Sequence, residues 1–296
     1  MSEAEKPCPI CGTASQYACS RRGRTAPIKD YALFHCPGCH FSFIPDYRTD
    51  FANVYTEAYY RGEGADPMVN YLYDHQYPRE TLRSLEWEGI ARVFHFLKGK
   101  DNPEAKWLDY GCGMGSLTRH AREKGLSAFG YEPYGQAPDE GEGSEGSFIL
   151  GAESLSREGP FDFVTAIEVI EHDPEPVAFL RRIRPLLKEG GILFLTTGNA
   201  WPYRHKLDSW SYAGIPDAHM SFFEPGALAL AMEKSGFRPE FKGFAPGFSQ
   251  IIAYKILKNL GFTRRSPVWR LVPWPLVSRL ADSRFKVTAH PVGVAA

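Results

Sequence analysis

Two short cysteine pairs, Cys8-Pro-Ile-Cys11 and Cys36-Pro-Gly-Cys39, are the residues whose chemistry is easiest to assign. A C-x2-C turn brings two thiolates to one ion, and two such turns complete a tetrahedron around zinc. Four protein ligands close the shell, so the expected ion is structural. A pair of disulfides is the alternative; it is disfavoured because the polar start, Met-Ser-Glu-Ala-Glu-Lys, offers no export signal. A redox dithiol would not occur twice. His35 and His40 flank the second pair as spare ligands, while Cys19 and Cys112 read as free thiols.

A second constellation is Asp109-Tyr-Gly111-Cys-Gly113-Met-Gly115. It follows an apolar run at 105–110 and precedes a helical pattern at 116–124. Glycines there permit a tight turn and let a ligand lie against bare backbone, with a helix N-terminus facing it. The spacing is G-x-G-x-G; the dinucleotide fingerprint would need glycine in place of Ser116. Glu132 follows the second apolar run, where an acid commonly takes ribose hydroxyls.

The third set is Glu168-Val-Ile-Glu171-His172, directly after an apolar run ending at Ile167, together with His219 in Asp217-Ala-His-Met-Ser-Phe-Phe-Glu224. In a helical turn Glu168 would share a face with Glu171 and His172. Two carboxylates and two imidazoles could hold a second divalent ion that polarises a hydroxyl. Without metal, His172 oriented by a carboxylate would act as a general base, a reading placed slightly ahead of the metal. Hydrogen bonds that merely order the turn rank last, because gathering four such groups for structure alone is costly.

The elements that must position these groups alternate. Strands are expected at 105–110, 128–131, 161–167 and 191–197, with helices at 79–97, 116–124, 176–188 and 225–235. Such alternation means an α/β fold, a parallel sheet with helices on both faces. Residues 1–48 form a zinc-ribbon module and 49–100 an aromatic-rich connector and helix; 101–296 carry the sheet. Residues 134–147, with four glycines and four acids, are expected to be a flexible loop. Residues 251–286 hold eight Lys or Arg against Asp282 alone. This segment reads first as an amphipathic extension packed on the sheet with its charges solvated, and second as a contact for a membrane surface or an anionic substrate.

Composition closes several alternatives. Of 296 residues, 43% are apolar and 23% charged, enough to build a core. Thirty-four Lys and Arg balance 35 Asp and Glu, which argues against a globally basic nucleic-acid binder. No apolar run reaches the 18 or so residues of a membrane span. A cytoplasmic enzyme is the expectation.

Over residues 105–240 the chain resembles the class I S-adenosylmethionine-dependent methyltransferases. The resemblance lies in Leu-Asp-Tyr-Gly-Cys-Gly-Met-Gly, Gly130-Tyr-Glu-Pro133, Phe161-Asp-Phe-Val, Glu168-Val-Ile-Glu-His172 and Arg182-Ile-Arg-Pro-Leu-Leu-Lys-Glu-Gly-Gly191. It implies a Rossmann-like seven-stranded sheet with its last strand antiparallel. Asp109, Gly111, Gly113 and Gly115 would surround the methionine part of the cofactor, Glu132 would hold the ribose, and Ala152 and Glu153 would lie near the adenine. Ile167 is assigned to the cofactor contacts as well. With its knuckles, the whole chain is similar to a subgroup bearing an N-terminal zinc ribbon that includes sugar C-methyltransferases and glycan or natural-product relatives. Small-RNA 2′-O-methyltransferases resemble it at Glu168, Glu171, His172 and His219, and use such a set for a divalent ion.

The expected function is therefore methyl transfer from S-adenosylmethionine to a small acceptor: a sugar, a nucleotide-sugar, or a glycan or lipid-linked intermediate. The alternatives are a metal-dependent O-methyltransferase and an RNA methyltransferase gripping RNA through Arg21-Arg22-Gly-Arg24 of the ribbon. A non-catalytic module is disfavoured by the intact glycine loop and Glu132.

Overall fold

The computed structural model describes residues 1–296 apart from 1–3, 46, 48, 49, 65, 68, 99–101, 103, 134–149, 242–245, 286–290 and 296, with backbone only for 281–285 and 291–295. The acidic segment 134–147 thus lies wholly outside the described residues. The chain begins with β1 (Lys6–Pro7), β2 (Ala14–Arg22), β3 (Asp30–His35) and β4 (Ser42–Phe43). The connector follows as short helices α1 (Phe51–Val54), α2 (Glu57–Tyr60) and α3 (Tyr71–Gln76), then the long α4 (Ser84–Lys98). Strands and helices then alternate: β5 (Lys106–Tyr110), α5 (Ser116–Glu123), β6 (Ser127–Tyr131), α6 (Ala152–Glu158), β7 (Phe161–Ile167), α7 (Pro176–Ile183) and β8 (Leu187–Thr196). Beyond these come β9 (Ser221–Phe222), α8 (Pro225–Glu233), β10 (Phe237–Phe241), α9 (Phe248–Asn259), α10 (Trp274–Phe285) and β11 (Pro291–Ala295).

Six strands of the main sheet lie among the described residues, in the order β10-β11-β8-β7-β5-β6. β6, β5, β7 and β8 run parallel, and β11 is antiparallel to both its neighbours. This is the Rossmann-like arrangement with an antiparallel last strand. Alternate residues of the buried strands serve opposite faces, as the pleat requires. Phe163 and Phe194 pack with Trp87, Phe94 and Ile251 of α4 and α9, while Val164, Leu193 and Leu195 pack with Phe179, Leu180 and Met232 of α7 and α8. The helix expected to run over 176–188 stops at Ile183 and gives way to a single 3-10 turn, Arg184–Leu186. Pro185 has no N–H to continue the α-helical ladder, so β8 begins at Leu187.

The second sheet has the order β1-β2-β3-β4-β9. Its edge strand comes from the far end of the chain: Ser42 pairs with Phe222 and Phe43 with Ser221. Phe34, Phe41 and Phe43 join the same apolar cluster as Phe223 and Leu228, so the ribbon shares its core with the α7–α8 face.

The basic segment after residue 250 departs from the first expectation. α9 packs along α4 so closely that a Cβ on Gly247, whose φ is +102°, would lie 2.2 Å from the Gly89 carbonyl oxygen. That docking buries Phe248, Ile251, Tyr254 and Leu257 and carries Lys255 inward, so its charge is not solvated but paired in the central cleft. No helix among the described residues is long and apolar enough to cross a membrane.

Candidate active site

At the carboxyl edge of the main sheet a cleft enclosing about 1300 Å³ of free space, part of it open to solvent, gathers residues from six segments. One end is the glycine loop. β5 ends at Tyr110 and the chain turns through residues 111–115 into α5. Gly111 has φ +77°, and a Cβ there would lie 2.6 Å from Cγ2 of Val169, so only glycine fits. The Gly113 N–H donates to Oε2 of Glu132 at 2.8 Å. Behind the loop, Thr165 Oγ1 donates to the buried Asp109 carboxylate at 2.8 Å, and Trp107 Nε1 donates to that hydroxyl at 2.9 Å. Burial pushes the Asp109 carboxyl up to about 7, against the Thr165 bond, which favours its charge.

Asp109, Gly111, Gly113, Glu132 and Ile167 all line the cleft. Gly115 stands behind it as the left-handed N-cap of α5. Ala152 and Glu153 open α6, are exposed, and lie outside the lining. The groups present suit the cofactor implied by the sequence: a buried carboxyl, Asp109, an acid at a strand end, and bare backbone at Gly113, where a Cβ would meet nothing within 4 Å.

The other end is built on the turn after β7. Glu168 sits at φ +55°, a left-handed conformation uncommon for a non-glycine residue. The expected helical turn therefore does not start there; a 3-10 turn covers Ile170–His172 instead. Glu168 stands outside the group formed by Glu171, His172 and His219. Its Oε1 accepts from Lys255 Nζ at 2.9 Å and from Thr196 Oγ1 at 3.0 Å. Burial opposes its charge, but the Lys255 ammonium holds the carboxyl well below the usual carboxylate range.

Glu171, His172 and His219 do converge, one ligand atom of each lying within 4.8 Å of the others. Both imidazoles have fixed tautomers. His172 Nδ1 lies 3.1 Å from the Ala218 carbonyl oxygen and His219 Nδ1 lies 3.0 Å from that of Tyr212. Carbonyls only accept, so each Nδ1 carries the proton and each Nε2 keeps its lone pair. Burial lowers both rings' basicity, with the neighbouring His172 next in weight for His219, which falls to about 3. Both are neutral at pH 7.

The Tyr212 hydroxyl touches Glu171 Oε1 and lies 3.0 Å from Glu168 Oε2. One hydroxyl proton cannot serve two carboxylates. Burial, and next the Glu168 charge, push Glu171 up to about 8, so Glu171 carries a proton at pH 7. The chain then runs from the Glu171 carboxyl to Tyr212, from Tyr212 to ionised Glu168, and ends at Lys255.

Sequence reasoning missed Tyr212, Lys255 and the aromatic wall of Tyr55, Tyr59 and Tyr71 that closes this end. Tyr59 and Tyr71 stack at 5.4 Å, and the Tyr55 hydroxyl lies 3.1 Å from His172 Nδ1. A lone lysine inside Ile-Ile-Ala-Tyr-Lys-Ile-Leu was the available signal for Lys255; Tyr212 had none.

Away from the cleft, the four knuckle cysteines form a single cluster. Sγ of Cys8 and Cys39 are 3.6 Å apart and those of Cys11 and Cys36 are 3.4 Å apart, and none is in a disulfide. A tetrahedron with Zn–S bonds near 2.3 Å has edges of about 3.8 Å. The donor set and its spacing suit zinc.

The family model described as "Methyltransferase domain" matches residues 73–240. Ubiquinone biosynthesis O-methyltransferase of Xanthomonas oryzae pv. oryzae is 33% identical over 144 residues, which cover 46% of this chain and 59% of that protein. The protein of the same name from Pseudomonas aeruginosa is 36% identical over 108 residues, 33% of this chain and 46% of that one. The matched stretch thus spans less than two thirds of these curated relatives. Among solved structures, the plantazolicin methyltransferase BpumL in complex with SAH aligns over 72% of this chain and 83% of its own, with 13% identity and a TM-score of 0.44. Because the family match takes in more than half of the chain, the glycine loop and the His172 turn with it, this protein belongs to the methyltransferase-domain family.

Proposed function

We propose that the protein transfers a methyl group from S-adenosylmethionine to a small acceptor, a sugar, nucleotide-sugar, or glycan or lipid-linked intermediate. The observation that carries this reading is that one cleft joins the glycine loop with Asp109 and Glu132 to the two Nε2 lone pairs of His172 and His219. When bound, the cofactor supplies an electrophilic methyl carbon on a sulfonium. Asp109 and Glu132 would anchor it and the loop backbone would hold it. His172, held by Ala218, takes the proton of the acceptor hydroxyl at Nε2, and the tyrosine wall excludes water. Lys258 lines the acceptor end and meets no carboxylate at ion-pair distance among the described residues, which suits an anionic group on the acceptor. On this reading the ribbon (1–48) and connector (49–100) cap the acceptor end of the methyltransferase domain (101–296). The zinc of the ribbon is structural.

The convergence of Glu171, His172 and His219 favours a second reading, a divalent ion held by these three. Glu168 is spent on Lys255 in either case. If the metal reading holds, a chelator abolishes turnover; if the base reading holds, it leaves turnover unchanged. The RNA alternative loses support because Arg21, central to its basic cluster, donates to the carbonyls of Ala213 and Asp208. Methyl-labelled cofactor offered with nucleotide-sugars and with RNA tests the acceptor class directly. Label entering RNA alone would overturn the small-molecule reading.

Cofactor binding has its own expected result. Glu132→Ala and Asp109→Asn should each weaken S-adenosylmethionine binding about 10- to 100-fold, since each removes a hydrogen-bonding charge worth roughly 1.5–3 kcal/mol. The Asp109 carboxyl lies near 7, and a cationic group of the cofactor held there would favour its ionised form. Affinity should therefore rise as pH rises from about 6 to about 8, and Asp109→Asn should flatten that slope. Calorimetry showing unchanged affinity in both variants, or tighter binding of NAD, would refute the assignment.

A further inference from the structure

Exposed apolar side chains are concentrated in one short stretch. Leu260, Phe262, Val268, Leu271, Leu276 and Leu280 are all exposed, Leu271 to 82%. Leu276 and Leu280 stand four apart on the outward side of α10, while Val268 and Leu271 belong to the 3-10 turn Pro267–Leu271 that precedes it. The stretch is firmly mounted. Trp269 and Trp274 pack on Leu82, Tyr254 and Leu257, Phe262 meets Trp269 edge-on at 4.8 Å, and Trp274 Nε1 donates to the Trp269 carbonyl at 2.7 Å. These leucines are therefore held outward by a packed base.

Between this stretch and α4 lies a second cleft, walled by Trp269, Trp274 and Leu85 and by four arginines: Arg79, Arg92, Arg265 and Arg270. Arg92 and Arg265 are tied to Glu88. Arg79 and Arg270 are exposed and meet no carboxylate among the described residues. Between Glu240 and Asp282 the sequence contains no acid at all.

We infer that residues 260–280 form a docking surface for an anionic lipid bilayer, with the leucines entering the interface and Arg79 and Arg270 taking lipid phosphates. Charge decides this occupant over a second copy of the chain. Glu88 is the one acid lining this cleft, against four arginines, and it is already tied to Arg92 and Arg265. A two-fold contact would therefore set two net-positive faces together, whereas an anionic bilayer offers both acyl chains and phosphates. The surface is peripheral, since no described helix can cross a membrane. It begins two residues after Lys258, so docking places the acceptor end of the catalytic cleft beside the bilayer. The docking does not depend on the methyl-transfer reading.

The test is flotation of the full chain with phosphatidylcholine vesicles, plain or containing about one third phosphatidylglycerol. The wild type should bind the anionic vesicles at least about tenfold more tightly, and lose that preference as salt rises from about 50 mM to about 500 mM. Arg79→Glu with Arg270→Glu should cost at least about 25-fold on anionic vesicles, roughly fivefold per arginine lost. Leu271→Glu with Leu276→Glu should abolish binding to either vesicle. All four positions are exposed, and an unchanged thermal melt confirms that the variants fold. Absence of wild-type binding to anionic vesicles, or variants that bind like wild type, would overturn the inference. So would a self-association lost in the same variants without any vesicle binding.

Discussion

Replacing His172 with alanine should lower turnover by about 10²- to 10⁴-fold, the usual worth of a positioned general base, while S-adenosylmethionine affinity changes less than about threefold. The expectation follows from the tautomer. His172 donates through Nδ1 to the Ala218 carbonyl, so Nε2 is the atom left to accept a proton, and burial keeps the ring neutral at pH 7. His172→Gln separates geometry from basicity, because it can keep a hydrogen bond to Ala218 and cannot take the proton. Both variants should be equally slow. His219→Ala should follow the same direction with a smaller loss. Single-turnover rates with calorimetry in parallel make the measurement. Near-native turnover in both His172→Ala and His219→Ala, with unchanged cofactor binding, would remove the base and the metal readings together.

Loss of the zinc should have the largest effect on folding. Elemental analysis is expected to find about one tightly held zinc per chain, and Cys36→Ser with Cys39→Ser should release it. Structural zinc binding amounts to about 10–16 kcal/mol in small modules, as large as the whole stability of many domains. Cys36 is fully buried among Phe34, Phe41 and Phe43, so an empty knuckle loosens the packing of β2–β4. Hydrogen exchange should show those strands unprotected in the variant. A chain with all four cysteines replaced that still folds and keeps its metal content would end the assignment.

The glycine-loop end of the cleft was legible as a local structure because its determinants are contiguous. The run from Asp109 to Gly115 supplies strand end, turn and helix start within one stretch, and Glu132 is one strand away. The His172 end was legible only in part. Glu171, His172 and His219 do meet, but the fourth member of the expected set does not join them. A helical turn was a fair expectation for Glu168, and no sequence pattern announces a left-handed glutamate at a strand end. Its partner Lys255 arrives from 87 residues further along, through the packing of α9 on α4. That contact depends on Gly89 and Gly247 meeting face to face, which neither glycine reveals alone. Charges in the basic segment looked solvated for a similar reason: an isolated segment cannot say which of its lysines a distant carboxylate will claim.

The pairing of β4 with β9 also sets a timetable for synthesis. Residues 42 and 222 are neighbours in space, yet about 180 residues of chain must be made between them. At roughly 5–20 residues per second, translation takes about ten to forty seconds to cover that interval. Throughout it, the hairpin of β2 and β3 is already complete, while β4 presents an unpaired edge beside Phe41 and Phe43. Such an edge is where nascent chains associate wrongly. Slowing elongation between β4 and β9 should therefore lower the soluble yield on expression, and comparing synonymous-codon variants of that interval checks it.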